Sequence, residues 1–124
     1  MAEQMKILVV EPRKHPRVME IPNTLRDKQA VVDGLIQPVE LDDGAIIICN
    51  EEGLFRPDLE WNRKLYEPFE LAIKGTFFLC CGNEDGDFIS LTDDLIDKYS
   101  RVFYHPQILI PTRKGLIDLS QREI

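Results

Sequence analysis

Residues 74–83 read KGTFFLCCGN, and we call them the decisive stretch because they are the most informative part of the sequence for the fold. An uncharged apolar run of this length, bounded by Gly75 and Gly82, predicts a buried β-strand. Because successive side chains of a strand point to opposite faces, we expect Cys80 and Cys81 on different sides of the sheet. The stretch therefore predicts a packing element rather than a reactive one.

Shorter extended segments around this stretch complete a predicted sheet. They cover residues 6–11, 17–21, 35–41 and 45–49, and each ends at proline or turn residues. Pro38 interrupts the third segment, which indicates an edge strand or a bulge because proline cannot donate to a ladder. Residues 54–68 contain prolines and mixed charge, and we expect a long ordered loop there.

Two helices are predicted to cover the sheet. The first begins at N-cap Thr24, with Asp27 three residues later, and Gly34 is expected to end it. The second begins at N-cap Thr92, directly after Leu91, and its apolar residues have helical spacing. The sequence therefore predicts an α+β fold, with a small, mostly antiparallel sheet of about five strands and two capping helices.

We expect one domain over residues 1–104, followed by a C-terminal extension over residues 105–124. The chain has 124 residues, of which 44% are hydrophobic and 30% charged, so it can bury a core of its own. His105 and Pro106 break the second helix, and residues 107–111 are a further strand candidate. The extension could add an edge strand, form an arm that pairs with another subunit, or be a tail.

Charge and cysteine content limit the class of protein. The formal net charge is -7 and the isoelectric point is near 4.8, so we expect no nonspecific binding to nucleic acid. The three cysteines form no even framework and no C-x-x-C pair, which fits a reducing cytoplasm. The apolar run near the N-terminus covers only residues 7–10, too short for a secretory signal or a membrane span. These features predict a cytoplasmic protein without a membrane partner.

No residue pattern predicts catalysis, a cofactor or a metal site. His15 lies in a basic turn, and no serine or cysteine stands in a recognisable nucleophile context. The acidic segment 83–87 has the alternate spacing of a calcium loop, but the sixth position, which such a loop needs as glycine, is Phe88. The glycines are dispersed and form no phosphate-binding loop. We therefore expect a protein that is not an enzyme.

Two groups of charged residues are candidate binding sites. An acidic group could meet a basic protein partner, imitating DNA phosphates toward a nuclease, or could be a solvated turn and helix start. Its members are Glu84, Asp85, Asp87, Asp93, Asp94 and Asp97. A basic and aromatic group could hold an anion or nucleotide if its members converge, or could balance the acidic surface. Its members are Arg13, Arg17, Trp61 and Arg63.

Short motifs occur in a fixed order along the chain. They are KILVVEP at 6–12, IPNTL at 21–25, CNEEG at 49–53, NR at 62–63, GTFF at 75–78 and SLTD at 90–93. Together they resemble a family of small domains of unknown function found in phages and mobile elements of bacteria, over about residues 5–103. The chain departs from the family at residues 13–14, which are Arg-Lys where relatives carry Gly-Lys, and at residues 33–34, which are Asp-Gly where they carry Gly-Gly.

The resemblance implies a biological setting and no reaction, so no catalytic residue is carried over. That setting favours counter-defence: an accessory protein that binds and inhibits a host protein, such as a CRISPR nuclease or restriction enzyme, in the host bacterial cell. One alternative is an oligomeric sponge that sequesters a nucleotide immune messenger through the basic group. A second alternative is a passive structural or assembly subunit that associates as a homo-oligomer through residues 105–124.

Overall fold

The computed structural model describes residues 3–121 and contains a central antiparallel sheet with helices on it. This arrangement confirms the predicted α+β fold. Two short 3-10 turns, Gly53–Phe55 and Leu119–Gln121, accompany the regular elements. In chain order the regular elements are β1 (Gln4–Val10), β2 (Arg17–Pro22), α1 (Leu25–Val32), β3 (Ile36–Glu40), β4 (Ala45–Asn50), β5 (Trp61–Leu65), β6 (Leu71–Lys74), β7 (Phe77–Gly82), β8 (Phe88–Ile89), α2 (Asp93–Val102), β9 (Leu109–Thr112) and β10 (Gly115–Asp118).

The decisive stretch forms the central strand of the main sheet. The strand order is β2-β1-β7-β4-β3, and each of these neighbours pairs antiparallel. Leu79 of β7 lies opposite Leu8 of β1 on one side and Ile47 of β4 on the other. β8 pairs with the end of β7, and the chain then follows β1, where Leu91 N–H donates to the Lys6 carbonyl at 2.9 Å.

Both faces of the sheet are covered, which explains why β4 and β7 carry no charged residue. On β7, Phe77, Leu79 and Cys81 belong to one core cluster, whereas Phe78 and Cys80 belong to the other. The prediction that the two cysteines face opposite sides is confirmed. Helix α1 covers the Phe78 face, and α2 together with the β5–β6 hairpin covers the Leu79 face.

The end of α1 differs from the prediction by one residue. The left-handed residue after the helix is Asp33, at φ 62° and ψ 45°, instead of Gly34. Asn50 Nδ2 donates to the Val32 and Asp33 carbonyls, each at 3.1 Å, and so satisfies carbonyls at the helix end. A Cβ on Gly34 would lie 2.8 Å from this Nδ2, so the glycine provides space for Asn50. The predicted N-cap is confirmed, because Thr24 Oγ1 accepts from Asp27 N–H at 3.0 Å.

The prediction of a long loop over residues 54–68 is wrong, because the segment contains β5. This strand pairs antiparallel with β6, and the register shifts between Trp61 and Arg63. Its sequence, WNRKL, lacks the apolar alternation that marks a half-buried strand. Asn62 and Arg63 are nevertheless buried, because they bond to backbone groups of neighbouring segments. Tertiary hydrogen bonds therefore decide the conformation here.

The C-terminal extension forms a hairpin of β9 and β10 that lies against β5. Ile110 is paired with Ile117, and the buried Leu109 faces the domain. Pro38 lies in β3 at the edge of the main sheet, as predicted. Residues 122–124 of the predicted extension lie outside the described residues. Within residues 3–121, no helix has the length and apolar character needed to cross a membrane.

Candidate functional site

Asn83 shapes the acidic turn between β7 and β8. Its Oδ1 accepts hydrogen bonds from the backbone N–H groups of Asp85 and Asp87, at 3.0 and 2.9 Å. Gly86 has a φ of 84°, a left-handed conformation that favours glycine. The turn is therefore organised by backbone contacts, and its acidic residues, Glu84, Asp85 and Asp87, are exposed.

The other members of the acidic group lie at the start of α2. Thr92 is the N-cap, and its Oγ1 accepts from Leu95 N–H at 3.4 Å. Asp93 and Asp94 occupy the first turn, where the helix dipole and free N–H groups favour negative charge. Asp97 follows on the next turn, and all three aspartates are exposed.

Among residues 3–121, two of these six carboxylates form ion pairs. Asp93 Oδ1 lies 3.8 Å from Lys6 Nζ, and Asp97 Oδ2 lies 2.9 Å from Arg101 Nη1. Such surface pairs contribute at most about 1 kcal/mol. Across residues 3–121 there is no ion pair to the remaining members, which are Glu84, Asp85, Asp87 and Asp94. The structure therefore leaves the whole acidic group accessible.

The acidic turn is not arranged as a chelating loop. Asn83 Oδ1, an oxygen that a calcium loop would use as a ligand, is engaged by two backbone N–H groups. In the part of the chain that the structure describes, no group of three or more His, Cys, Asp or Glu side chains is placed to hold a metal ion.

The predicted basic group does not converge on one site. Arg13 Nε lies 3.1 Å from Glu60 Oε2, whereas Arg17 Nε lies 3.0 Å from Glu11 Oε1. The positive charge of each arginine is thus balanced by a surface carboxylate. Arg63, in contrast, is buried inside the fold.

Arg63 is only 2% exposed, and its side chain makes all of its hydrogen bonds within the fold. Its Nε and Nη2 donate to the Phe103 carbonyl at 3.3 and 2.9 Å, and Nη2 also donates to the Lys14 carbonyl at 2.7 Å. Nη1 donates to the Asn62 carbonyl and to Asn62 Oδ1, at 3.3 and 2.8 Å. These contacts engage every N–H of the guanidinium. Burial lowers the pKa of Arg63 to about 10, and the charge of Asp118 opposes this shift.

Asn62 completes this arrangement, and we call the two residues the Asn62–Arg63 clamp. Asn62 Nδ2 donates to the carbonyls of Val10 and Gly75, both at 2.9 Å. The clamp therefore joins β5 to the end of β1, to the turn before β7 and, through Arg63, to the end of α2. Its role in the described fold is structural, and its donors are not free to bind an anion.

A cavity of about 850 Å³ lies between the β5–β6 hairpin and the C-terminal segment. It brings together two members of the predicted basic group, Arg13 and Trp61, and adds Lys74. The Lys74 ammonium lies 5.4 Å from the centroid of the Trp61 ring. Much of the remaining wall is apolar and includes Pro57, Leu59, Ile108 and Ile110.

A second cleft of about 680 Å³ lies between β5 and α2, where Lys98 and Tyr99 line it. Tyr99 Oη donates to Asp43 Oδ2 at 2.7 Å, and Lys98 Nζ donates to the same oxygen. Burial alone would raise the pKa of Asp43, but the hydrogen bonds from Lys98 and Tyr99 outweigh it and hold the pKa below its usual range. Burial and the bond to Asp43 raise the pKa of Tyr99. These contacts attach α2 to the β3–β4 turn.

Three of the residues that organise these sites were not predicted from the sequence: Asn62, Lys74 and Asp43. Asn62 belongs to a motif of the resemblance, which was the only signal for it. Lys74 begins the decisive stretch, but its position beside Trp61 depends on the pairing of β5 with β6. Asp43 lies in a plain Asp-Asp-Gly turn, and nothing local indicates its bond to Tyr99.

A family model described as a domain of unknown function, DUF3846, matches residues 5–104. This match covers most of the chain, including every regular element from β1 to α2 except the first residue of β1. No curated protein and no solved structure gives a significant match.

Proposed function

Since the chain belongs to the DUF3846 family, whose function is unknown, we propose that it acts by binding and inhibiting a host protein with a basic surface. In this proposal it is a non-enzymatic accessory protein of a phage or mobile genetic element, working in the bacterial cytoplasm. The partner is a host defence nuclease of the CRISPR or restriction type.

The proposal rests on one observation: the carboxylates of the acidic group are available to a partner, whereas the arginines of the basic group are paired or buried. The acidic group is exposed, and four of its six carboxylates lack an ion pair within the described residues. Among the cations, Arg13, Arg17 and Arg56 are paired with carboxylates, and Arg63 is buried. Because the formal net charge is -7, the surface is anionic overall. Nuclease channels that bind DNA are positively charged, and a surface with exposed carboxylates is complementary to them in charge.

The environments of the cysteine and histidine side chains described below also favour binding over catalysis. Burial raises the pKa of Cys49 to about 11, and burial together with Cys81 raises that of Cys80 to about 12. At neutral pH both are therefore thiols, which are poor nucleophiles. His15 stacks on Tyr104 with ring centroids 4.3 Å apart, and its Nδ1 contacts the Tyr104 carbonyl. These contacts tie the first turn to the end of α2.

The proposal is tested by capture of purified CRISPR nucleases and restriction enzymes, followed by affinity measurement for any that is retained. We expect that Asp85→Asn with Asp87→Asn weakens binding by about tenfold, because two exposed charges contribute about 1 to 2 kcal/mol. Affinity should also fall as salt increases, since mobile ions screen surface charges.

The matched control is Glu51→Gln with Glu52→Gln, which removes the same charge from the exposed turn after β4. Equal weakening by both pairs of substitutions would indicate a net-charge effect and would count against docking by the acidic group. Retention of no effector, together with no relief of nuclease interference in cells, would refute the proposed function.

A further inference from the structure

We propose that the cavity between the β5–β6 hairpin and the C-terminal segment binds a planar aromatic molecule with one negative charge. This site is separate from the acidic group and does not depend on the proposed inhibition of a host protein. Its volume of about 850 Å³ lies within the usual range of small-molecule sites, about 300 to 1,000 Å³.

The walls of the cavity are held in place by the fold. Gly75 N–H donates to the Glu60 carbonyl at 2.7 Å, which fixes the segment before β5. Gly75 has a φ of 77°, and a Cβ there would lie 3.1 Å from Leu59 Cδ1, so the glycine allows Leu59 to pack closely. Ile108 and Ile110 line the cavity from the C-terminal segment, and they are 56% and 40% exposed. The apolar walls therefore exist before any ligand binds.

Trp61 determines the aromatic character of the ligand. Its indole is half-buried and lines the cavity. The Lys74 ammonium, 5.4 Å from the ring centroid, makes a cation–π contact with it. An aromatic ligand can stack on such a ring or meet it edge-on, which adds attraction beyond that of area burial. A carboxylate on that ligand would then lie within reach of Lys74.

The charges around the cavity determine the charge of the ligand. Two cations, Arg13 and Lys74, and one carboxylate, Glu60, line it and leave a net charge of one positive unit. Lys74 Nζ donates to the Arg56 carbonyl at 2.8 Å, and an ammonium has three N–H groups, so it has further capacity to donate. Asp58 Oδ2 lies 2.6 Å from Arg56 Nη2. The pKa of Asp58 is lowered mainly by this hydrogen bond and also by the charge of Lys74. A monoanion therefore fits the site better than a polyphosphate.

The 124-residue chain offers a direct readout, because Trp61 is its only tryptophan. We expect naphthoate to change the tryptophan emission in a saturable manner. Its neutral analogue naphthalenemethanol should bind about tenfold more weakly, because a hydrogen bond to a charged group contributes about 1.5 kcal/mol or more. Cyclohexanecarboxylate, which lacks the ring, and ATP, which carries several charges, should also bind more weakly than naphthoate.

Lys74→Met is expected to weaken naphthoate binding by about tenfold while leaving binding of the neutral analogue unchanged. A purely structural role of Lys74 would weaken both ligands equally. The matched control is Lys98→Met, because Lys98 also makes a cation–π contact, with Tyr99, but does not line this cavity. Ile110→Glu is a second variant, in which a carboxylate on an exposed wall residue should abolish binding of the anion.

Two results would overturn the proposal. One is equal affinity for naphthoate and the neutral analogue in both the wild-type protein and Lys74→Met. The other is a dimer in light scattering that Ile110→Glu dissociates, with no response of the tryptophan to naphthoate, since the wall would then be an interface between two copies of the chain.

Discussion

Arg63 illustrates how a buried cation is accommodated with no direct carboxylate partner among residues 3–121. Moving a charge out of water is costly unless hydrogen bonds replace its hydration. In this fold three backbone carbonyls and the Asn62 side chain supply those bonds, and Asp118 adds a longer-range attraction. The contacted carbonyls belong to Lys14, Asn62 and Phe103, which lie far apart in the sequence. A single side chain therefore connects three parts of the domain.

Replacing Arg63 by methionine should destabilise the protein strongly. The substitution leaves the buried carbonyl of Phe103 and the partly buried carbonyl of Lys14 without their donor, and a buried loss of this kind costs about 1 to 3 kcal/mol. We expect the free energy of unfolding in urea to fall by about 3 kcal/mol or more. Arg17→Met, which removes an exposed ion pair with Glu11, is the control and should cost less than about 1 kcal/mol. Similar unfolding midpoints for the two variants would contradict the structural role of Arg63.

Asp43 should make the stability of the protein depend on pH. Its pKa is lowered in the folded state, so it contributes stability above the ordinary pKa of an aspartate and loses that contribution as pH falls through the lowered value. We expect Asp43→Asn to cost about 1 to 3 kcal/mol at neutral pH and much less in strong acid. Urea unfolding at both pH values measures this, with the exposed neighbour Asp42→Asn as control. A cost that does not change with pH would exclude the carboxylate as its source.

At the scale of elements, strands with apolar runs were predictable and β5 was not. The uncharged β-branched run of β4 and the apolar run of β7 are buried on both faces, so composition alone identifies them. The strand β5 has Asn62, Arg63 and Lys64 at its centre and prolines before and after it, which are local signals for a loop. Its extended conformation depends on β6, on the clamp and on Gln107, whose Oε1 accepts from Lys64 N–H.

The C-terminal hairpin should be dispensable for folding. Both core clusters contain buried residues only up to Phe103, and the family match ends at residue 104. A chain that ends at Tyr104 loses the burial of Leu109 and the hydrogen bond from Lys64 N–H to Gln107, so we expect cooperative unfolding with a loss of about 2 to 4 kcal/mol. Circular dichroism in urea measures this. An unfolded truncated chain would show that the hairpin is integral to the domain.

Light scattering on the same pair of proteins tests the predicted role of residues 105–124 in association. If the 124-residue chain is an oligomer and the truncated chain is a monomer, the assembly-subunit alternative is supported. A monomer in both cases would exclude self-association through these residues under the conditions used.

At the scale of the whole molecule, the fold determines which charged side chains are accessible at the surface. The net charge of -7 is a property of composition. Which charges remain accessible to a partner depends on the structure. Ion pairs neutralise Arg13, Arg17 and Arg56, and Arg63 is buried. The acidic group could be located from sequence because a turn and a helix start are local features with exposed side chains. Convergence of the basic group could not, because it required distances between segments.

From the sequence alone we predicted the fold class, the burial of the decisive strand, both N-caps and the exposure of the acidic group. Each of these depends on interactions among residues close in the chain or on apolar composition, so the information is local. Only the tertiary structure decided that β5 is a strand, that Arg63 is buried, and that Trp61, Lys74 and Arg13 share a cavity. These outcomes depend on hydrogen bonds and contacts between segments that are distant in the sequence. Local sequence patterns do not predict such contacts.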